Sequence, residues 1–159
     1  ATEGVRIKKD GIRLIANSNS GKGGKVILLP NPDGTNRDGI LAEPDNDLAP
    51  DIQGFYIQGF TVQGFPNNGI KLERVNGFTI MGNESIDNLE NGIQPELSAN
   101  GLVKRNLSYG SLDSALWVEG GTNVRVARSS GSRPPRPSGA GRTPDGGWRA
   151  GTRRASPAC

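Results

Sequence analysis

A repeat of 23 residues constrains this chain more than any other feature of its sequence. The segments 54–59 (Gly-Phe-Tyr-Ile-Gln-Gly) and 77–82 (Gly-Phe-Thr-Ile-Met-Gly) lie 23 residues apart and agree at Gly, Phe, Ile and Gly. Fixed periods of about 20 to 50 residues are typical of solenoids, whose stacked units bury apolar edges against their neighbours. Two columns of apolar residues repeat at this spacing: Ile57, Ile80, Val103 and Val126, and Ile70, Ile93 and Leu116.

The residues inside each repeat indicate strands rather than helices. Short β-branched runs alternate with Gly, Asn, Asp and Pro, and no long window keeps apolar residues at helical spacing. Leucine-rich repeats have a similar period, but they require a dense leucine pattern in each strand, whereas the strands here follow the pattern Asn-Gly-Ile. A parallel β-helix fits better, with two short strands per coil, each paired with the equivalent strand of the next coil.

Other repeating positions predict the interior and the corners of the coil. A third column contains Leu89 and Leu112, which we expect to face inward as part of an aliphatic stack. Asn83 and Asn106 share a column at an expected corner, where Asn tolerates left-handed backbone and stacked amides hydrogen-bond between coils. The unit 38–40 precedes the equivalent unit 68–70 by 30 residues, which predicts a seven-residue insertion within residues 43–50.

Composition changes abruptly after residue 126. Residues 127–159 contain seven Arg, five Pro, six Gly and five Ser, but no Ile, Leu, Val or Lys. One interpretation is a disordered basic tail, because the segment lacks the apolar surface that would offset its ordering entropy. The other is an out-of-frame sequence, since a GC-rich gene yields this composition when it is read in the wrong frame. We therefore assign the repeats to residues 1–126, and we expect them to be incomplete at both ends.

Charge and composition argue against several functional classes. Residues 1–126 have a net charge of −3 and residues 127–159 a net charge of +6, so no basic face for nucleic acid is expected in the repeats. The chain has no His, which removes His-dependent catalysis, and its single Cys, Cys159, removes structural disulfides and zinc spacings. No apolar stretch is long enough to span a membrane.

Side chains that alternate with the Ile70 column form the most informative pattern. If Ile70 and Leu72 point inward, then Lys71 and Glu73 point outward. The equivalent outward residues of the next coils are Gln94, Glu96, Trp117 and Glu119. With a strand separation of about 4.8 Å, this predicts a column of four glutamates, namely Glu43, Glu73, Glu96 and Glu119. Because like charges on neighbouring strands destabilise a sheet, the column requires a counter-charge, a bound cation or protonation.

Two interpretations of this outward face are open. In the functional one, the carboxylates bind a sugar or calcium, with Glu73, Glu96 and Glu119 as the calcium ligands, and paired carboxylates would also suit glycoside hydrolysis. Trp117 is then a platform for a pyranose ring, while Lys71, Gln94 and Asp113 add polar contacts. In the structural one, Lys71 and mobile ions screen a solvated face, Trp117 covers a neighbouring coil and Asp113 caps a turn.

The chain resembles secreted right-handed β-helix repeat proteins in the units 68–72 (Asn-Gly-Ile-Lys-Leu), 77–80 (Gly-Phe-Thr-Ile) and 113–119 (Asp-Ser-Ala-Leu-Trp-Val-Glu). That group is similar in architecture to pectate lyases, polygalacturonases, alginate epimerases and the periplasmic nitrous-oxide-reductase maturation factor. The resemblance covers residues 4–126 and implies an all-β fold, a right-handed parallel β-helix solenoid of about four to five coils. It also implies a secreted or periplasmic protein that binds or processes an extracellular, acidic polysaccharide.

The catalytic motifs of those enzymes are missing from residues 1–126. The Asp-rich and His-containing signatures of polygalacturonases, the Asp-Pro-His signature of alginate epimerases and the arginine motifs of pectate lyases do not occur there. If the protein is an enzyme, the resemblance implies lyase, hydrolase or epimerase chemistry, but no catalytic residue is assigned. The alternative is a non-catalytic solenoid that binds glycan or metal or spaces other modules, because a shared fold does not determine function.

Overall fold

The structure consists entirely of short strands and turns in the part of the chain that it describes. The computed structural model describes residues 4–16, 25–32 and 37–132, and this part contains fourteen strands and no helix. In chain order the strands are β1 (Val5–Ile7), β2 (Ile12–Ile15), β3 (Val26–Leu28), β4 (Ile40–Ala42), β5 (Ile52–Gln58), β6 (Phe60–Gln63), β7 (Ile70–Glu73), β8 (Val75–Met81), β9 (Glu84–Ile86), β10 (Ile93–Glu96), β11 (Ala99–Lys104), β12 (Leu107–Tyr109), β13 (Thr122–Ala127) and β14 (Ser130–Ser132).

The strands form three parallel sheets that the chain visits in rotation. Sheet A has the order β1-β4-β7-β10, sheet B the order β2-β5-β8-β11-β13 and sheet C the order β3-β6-β9-β12-β14. We call one passage of the chain through sheets A, B and C a coil. The predicted all-β fold with parallel pairing is confirmed, and the arrangement is compatible with a parallel β-solenoid.

The expectation of two strands per coil is wrong, because the chain forms a third sheet. The strands of sheet C are only three or four residues long. Their aligned central residues include Val62, Ser85 and Ser108, all of which are buried although two are polar. An alternation this short, with serine in inward positions, does not produce a recognisable strand pattern in the sequence.

Strand pairing aligns the apolar columns. In sheet B, successive partners 23 residues apart are Ile57, Ile80, Val103 and Val126. In sheet A, Ile40 pairs with Ile70 across 30 residues, and Ile70 pairs with Ile93 across 23. The seven extra residues lie between β4 and β5, and this connection contains the insertion predicted at residues 43–50.

The inward columns form a single apolar core, but two predicted members do not belong to it. Ile57, Ile70 and Ile80 are completely buried. Leu89 and Leu112, which we expected to face inward, are 54% and 68% exposed. They lie outside the strands, in the turns between sheets C and A, where a 23-residue repeat of apolar residues does not require burial. Val126 is 50% exposed because β13 is the last strand of sheet B.

The corners between sheets repeat a left-handed backbone at fixed positions. The residue before the asparagine column has a positive φ in four coils, at Gly59, Gly82, Arg105 and Arg128. The asparagines themselves do not, so their role is hydrogen bonding rather than backbone geometry. Asn106 Oδ1 accepts from the backbone N–H of Asn83 at 2.9 Å and from its side-chain amide at 3.1 Å. The predicted amide ladder between coils is therefore confirmed.

The glycines that immediately precede β7 and β10 of sheet A leave room for side chains of sheet C. A Cβ added to Gly69 would lie 2.2 Å from Ser85 Oγ, and one added to Gly92 would lie 1.8 Å from Ser108 Oγ. In the last coil the larger and the smaller residue change places. Ala115 occupies the position of Gly69 and Gly92, and the facing residue of sheet C is Gly131, on which a Cβ would lie 2.7 Å from the methyl group of Ala115. One small residue in each of these pairs is therefore required by close packing.

Strand pairing extends past the boundary predicted at residue 126. β14 lies in the Arg-, Pro- and Gly-rich segment and pairs with β12, with Leu107 opposite Ser130. The rest of the predicted tail, residues 133–159, lies outside the described residues. Within the described ranges, no helix is long and apolar enough to cross a membrane.

Candidate functional site

The outward face of sheet A brings together six of the seven predicted site residues. Lys71 pairs with Gln94 and Glu73 with Glu96, and a further bridge joins Glu96 to Glu119. Trp117 stands beside Gln94, because Ile93 forms a bridge to Leu116. Asp113 is exposed in the preceding turn, where its backbone N–H donates to the carbonyl of Glu90.

Basic side chains on this face are bonded to its glutamates. Lys71 Nζ lies 2.9 Å from Glu96 Oε2 and 3.4 Å from Glu73 Oε2. Arg6 forms an ion pair with Glu43. Partial burial of Lys71 acts to lower its pKa, but the hydrogen bonds and charges of Glu96 and Glu73 together raise the pKa of this amine above its ordinary value. Lys71 is therefore a positive counter-charge for two members of the column at neutral pH.

The glutamate column does not fit a calcium site. The ammonium group of Lys71 contacts both Glu73 and Glu96, so a divalent cation between them would have to displace it. In the described ranges, no group of three or more Asp, Glu or Cys residues is arranged to hold a metal ion. Calcium also requires about six to eight oxygen ligands, which this face does not bring together.

Glu119 differs from the other glutamates because its partners are uncharged. Glu119 Oε2 accepts a hydrogen bond from Trp117 Nε1 at 3.2 Å and one from Gln94 Nε2 at 3.4 Å. Gln94 occupies an outward position, yet it is 8% exposed, and its Oε1 accepts from Asn91 Nδ2 at 3.3 Å. Trp117 is 47% exposed, and its indole N–H is bonded to this carboxylate.

Asn91 connects the outward face to an amide ladder at the start of sheet A. Its side-chain amide and backbone N–H both donate to Asn68 Oδ1, and the amide of Asn68 donates to Asp38. Asn91 Oδ1 is buried and accepts no hydrogen bond. The sequence marked Asn91 only as part of an Asn-Gly-Ile unit, and its contact with Gln94 had no sequence signal beyond their spacing of three residues.

The insertion forms a second polar feature that the sequence did not predict. Arg74 donates from Nε to Asp51 Oδ1 at 3.0 Å and from Nη1 to the carbonyl of Asp47 at 3.1 Å. Further bonds from its guanidinium reach the carbonyls of Asn46 and Ala49. An open cleft beside the loop is lined by residues 43–47, Glu73 and Arg74. Arg74 therefore holds the insertion against sheet A.

In the residues that the structure describes, the chain forms strands in three parallel sheets, and the polar outward face of sheet A includes Trp117, whose indole is bonded to Glu119. No family model matches the chain, and neither curated proteins nor solved structures are significantly similar to it. The function is therefore inferred from the geometry of the face itself.

Proposed function

We propose that this chain forms a right-handed parallel β-helix with 23-residue coils that binds a polysaccharide on the outward face of sheet A without cleaving it. The observation that carries the proposal is Trp117, which is 47% exposed and whose indole N–H is held by a 3.2 Å hydrogen bond to Glu119. A fixed, half-exposed aromatic ring binds the apolar face of a pyranose at a small entropy cost.

The partners of Glu119 support this role. Gln94 and Trp117 both donate to Oε2, which leaves Oε1 as an acceptor for a sugar hydroxyl. Gln94 is itself bonded to the buried Asn91, so the carboxylate is attached to a rigid part of the fold. A ring and an acceptor that are both fixed before binding satisfy the requirement for a preorganised sugar site.

Electrostatics favours a neutral polysaccharide on this face over the acidic one that the sequence suggests. Among the described residues, the cations that form ion pairs with its column of four glutamates are Arg6 and Lys71, and Glu119 has no cationic partner there. A uronate polymer would meet an excess of negative charge, which opposes association. We therefore assign the face to a neutral polysaccharide. We also propose, from the resemblance in sequence, that the protein is secreted or periplasmic.

The bonding of the carboxylates supports the proposal of binding without cleavage. Glycoside hydrolysis requires one carboxyl that donates a proton and a second that acts as nucleophile or base. Glu73 and Glu96 share the ammonium of Lys71, and Glu119 accepts two hydrogen bonds. Each of these carboxylates therefore already has a partner within the protein, which supports binding over cleavage.

Affinity electrophoresis in gels that contain a neutral β-glucan or polygalacturonate tests the proposal. We expect the neutral glucan to retard the wild type, Trp117→Ala to abolish the retardation, and Trp148→Ala, the same change at the other tryptophan, to leave it intact. A reducing-end assay should detect no product. Equal migration of wild type and Trp117→Ala in both gels would contradict the proposal and favour a structural spacer.

A further inference from the structure

The three sheets carry different charges on their outward faces. Sheet A presents the glutamate column, whereas the outward residues of the strands in sheet B include no Asp or Glu. Sheet B presents Arg13 on β2, Lys104 on β11 and Arg125 on β13, and the corner that follows adds Arg105 and Arg128. We call this surface the basic face. The expectation that the repeats lack a basic face is therefore wrong, because a net charge averages over surfaces that the fold separates.

The cations of the basic face differ from those of sheet A because they form no ion pair with an acidic residue in the part of the chain that the structure describes. In the described ranges, the ion pairs of the chain involve Arg6, Lys8, Lys25, Lys71 and Arg74. None involves a cation of the basic face. Arg13 instead lies over the ring of Tyr56, 4.4 Å from its centroid. Four like charges on two adjacent strands and their corner repel one another, and an anionic ligand would relieve that repulsion.

The basic face also offers hydrogen-bonding groups along its length. Asn76 donates to Gln53, Asn100 donates to Asn76 and Asn123 donates to Asn100, each at 2.8 or 2.9 Å. This amide ladder joins the second residues of four strands of sheet B, namely β5, β8, β11 and β13. It leaves the second N–H of each asparagine amide available to donate to a hydroxyl group. Arg13 and Arg125 share one row across five strands, which places them about 19 Å apart at the usual strand separation.

We propose that the basic face binds an anionic polysaccharide, independently of the neutral chain assigned to sheet A. Arginine and lysine bind sulfate or carboxylate groups, and the amide ladder binds hydroxyls. Single-stranded nucleic acid is disfavoured, because it requires aromatic rings on which bases stack. Among the described outward residues of sheet B, the aromatic ring is that of Tyr56, and Arg13 already covers it.

The test compares binding of the full chain to dextran sulfate and to uncharged dextran by biolayer interferometry. We expect Lys104→Gln/Arg125→Gln to weaken binding of dextran sulfate by about tenfold or more at low salt. The slope of the logarithm of the binding constant against the logarithm of the salt concentration should also become shallower by about 2, because two ionic contacts are lost. Uncharged dextran should not compete for this surface. Arg153→Gln/Arg154→Gln is the charge-matched control, because those residues belong to the Arg-rich segment, and it should retain binding.

Three outcomes overturn the proposal. Dextran sulfate that binds both double variants as well as wild type would show that the basic face is not used. Loss of binding only in Arg153→Gln/Arg154→Gln would assign it to the Arg-rich segment. Tighter binding of single-stranded DNA than of dextran sulfate, with the same loss in Lys104→Gln/Arg125→Gln, would identify a nucleic-acid surface instead. If Lys104→Gln/Arg125→Gln does not fold, Arg105→Gln/Arg128→Gln replaces it in the same binding assay, because both of these residues lie at corners outside the strands.

Discussion

Substitution of Gly92 by alanine tests whether successive coils pack as closely as the structure describes. The new Cβ would lie 1.8 Å from Ser108 Oγ and 2.7 Å from the carbonyl oxygen of Ala115. The hydroxyl can rotate only within a buried interior, and the carbonyl belongs to the backbone of the next coil, where Leu116 forms a bridge to Ile93. Overpacking of this kind costs about 1–3 kcal/mol, and a backbone obstacle places Gly92→Ala at the upper end. We expect a loss of about 3 kcal/mol in the free energy of unfolding.

A second substitution separates the two contacts. Ser108→Gly removes the hydroxyl and copies the natural pair of Ala115 with Gly131 one coil later. The combination of Gly92→Ala with Ser108→Gly should recover about 1–2 kcal/mol, and the contact with the carbonyl should account for the remainder. Recovery should be partial because a Cβ at residue 92 still meets the carbonyl of Ala115. The natural Ala115 avoids such a contact, since no strand of sheet A follows it in the described residues.

Urea denaturation followed by far-ultraviolet circular dichroism measures the four free energies of the cycle. Ala115→Gly is the control for the effect of glycine on the unfolded chain, and it should cost about 0.5–1 kcal/mol. A Gly92→Ala protein as stable as wild type, or additive effects of the two substitutions, would refute the packing of sheet A glycines against sheet C serines.

Three further outcomes follow from other contacts. Arg105 has a positive φ and shares its column with Gly59 and Gly82, so Arg105→Gly should be about 1–2 kcal/mol more stable than Lys104→Gly, which differs by one position and has the same unfolded-state cost. Thermal denaturation should measure the difference, and equal stability would contradict the left-handed corner. Because the folded-state pKa of Lys71 is raised above its ordinary 10.5, its contribution is complete below that pH and is lost as pH rises through the folded value. The stability gap between wild type and Lys71→Met should therefore be constant at neutral pH and shrink as the pH rises above 10.5, and a gap that stays constant there would contradict the shift. Arg74→Ala should release the insertion, because it removes the hydrogen bonds from Arg74 to Asp51 and Asp47. Limited proteolysis should therefore cut residues 43–50 faster in Arg74→Ala than in Arg105→Ala, and equal rates would argue against a role of Arg74 in holding the insertion.

The sequence predicted those parts of the fold that repeat as side-chain identity. Ile57 and Ile80 are recognisable because the same apolar residue occupies the same inward place in successive coils. Sheet C was missed because its inward positions change from Val62 to Ser85, both of which fill a space that a glycine of sheet A leaves. A complementary pair conserves total volume rather than residue type, and periodicity of hydrophobic residues does not detect it.

The candidate site was predictable in its membership but not in its bonding. Alternation along β7 placed Lys71 and Glu73 outward, and the structure agrees. Which donor satisfies which carboxylate depends on side-chain directions across strands, and these follow from register rather than from spacing along one strand. The separation of charge between sheets A and B has the same origin, since residues 23 apart become neighbours only after the coils stack.

The measurement that tests the central claim most directly is a titration of the ¹⁵N-labelled Trp148→Phe protein with a neutral gluco-oligosaccharide, observed at the single remaining indole N–H, that of Trp117. We predict that this resonance and the side-chain amide resonances of Gln94 shift together and saturate with one dissociation constant, because Trp117 and Gln94 both donate to Glu119. An indole resonance that does not move, while the oligosaccharide shifts resonances elsewhere or none at all, would contradict the assignment of the outward face of sheet A as a polysaccharide site.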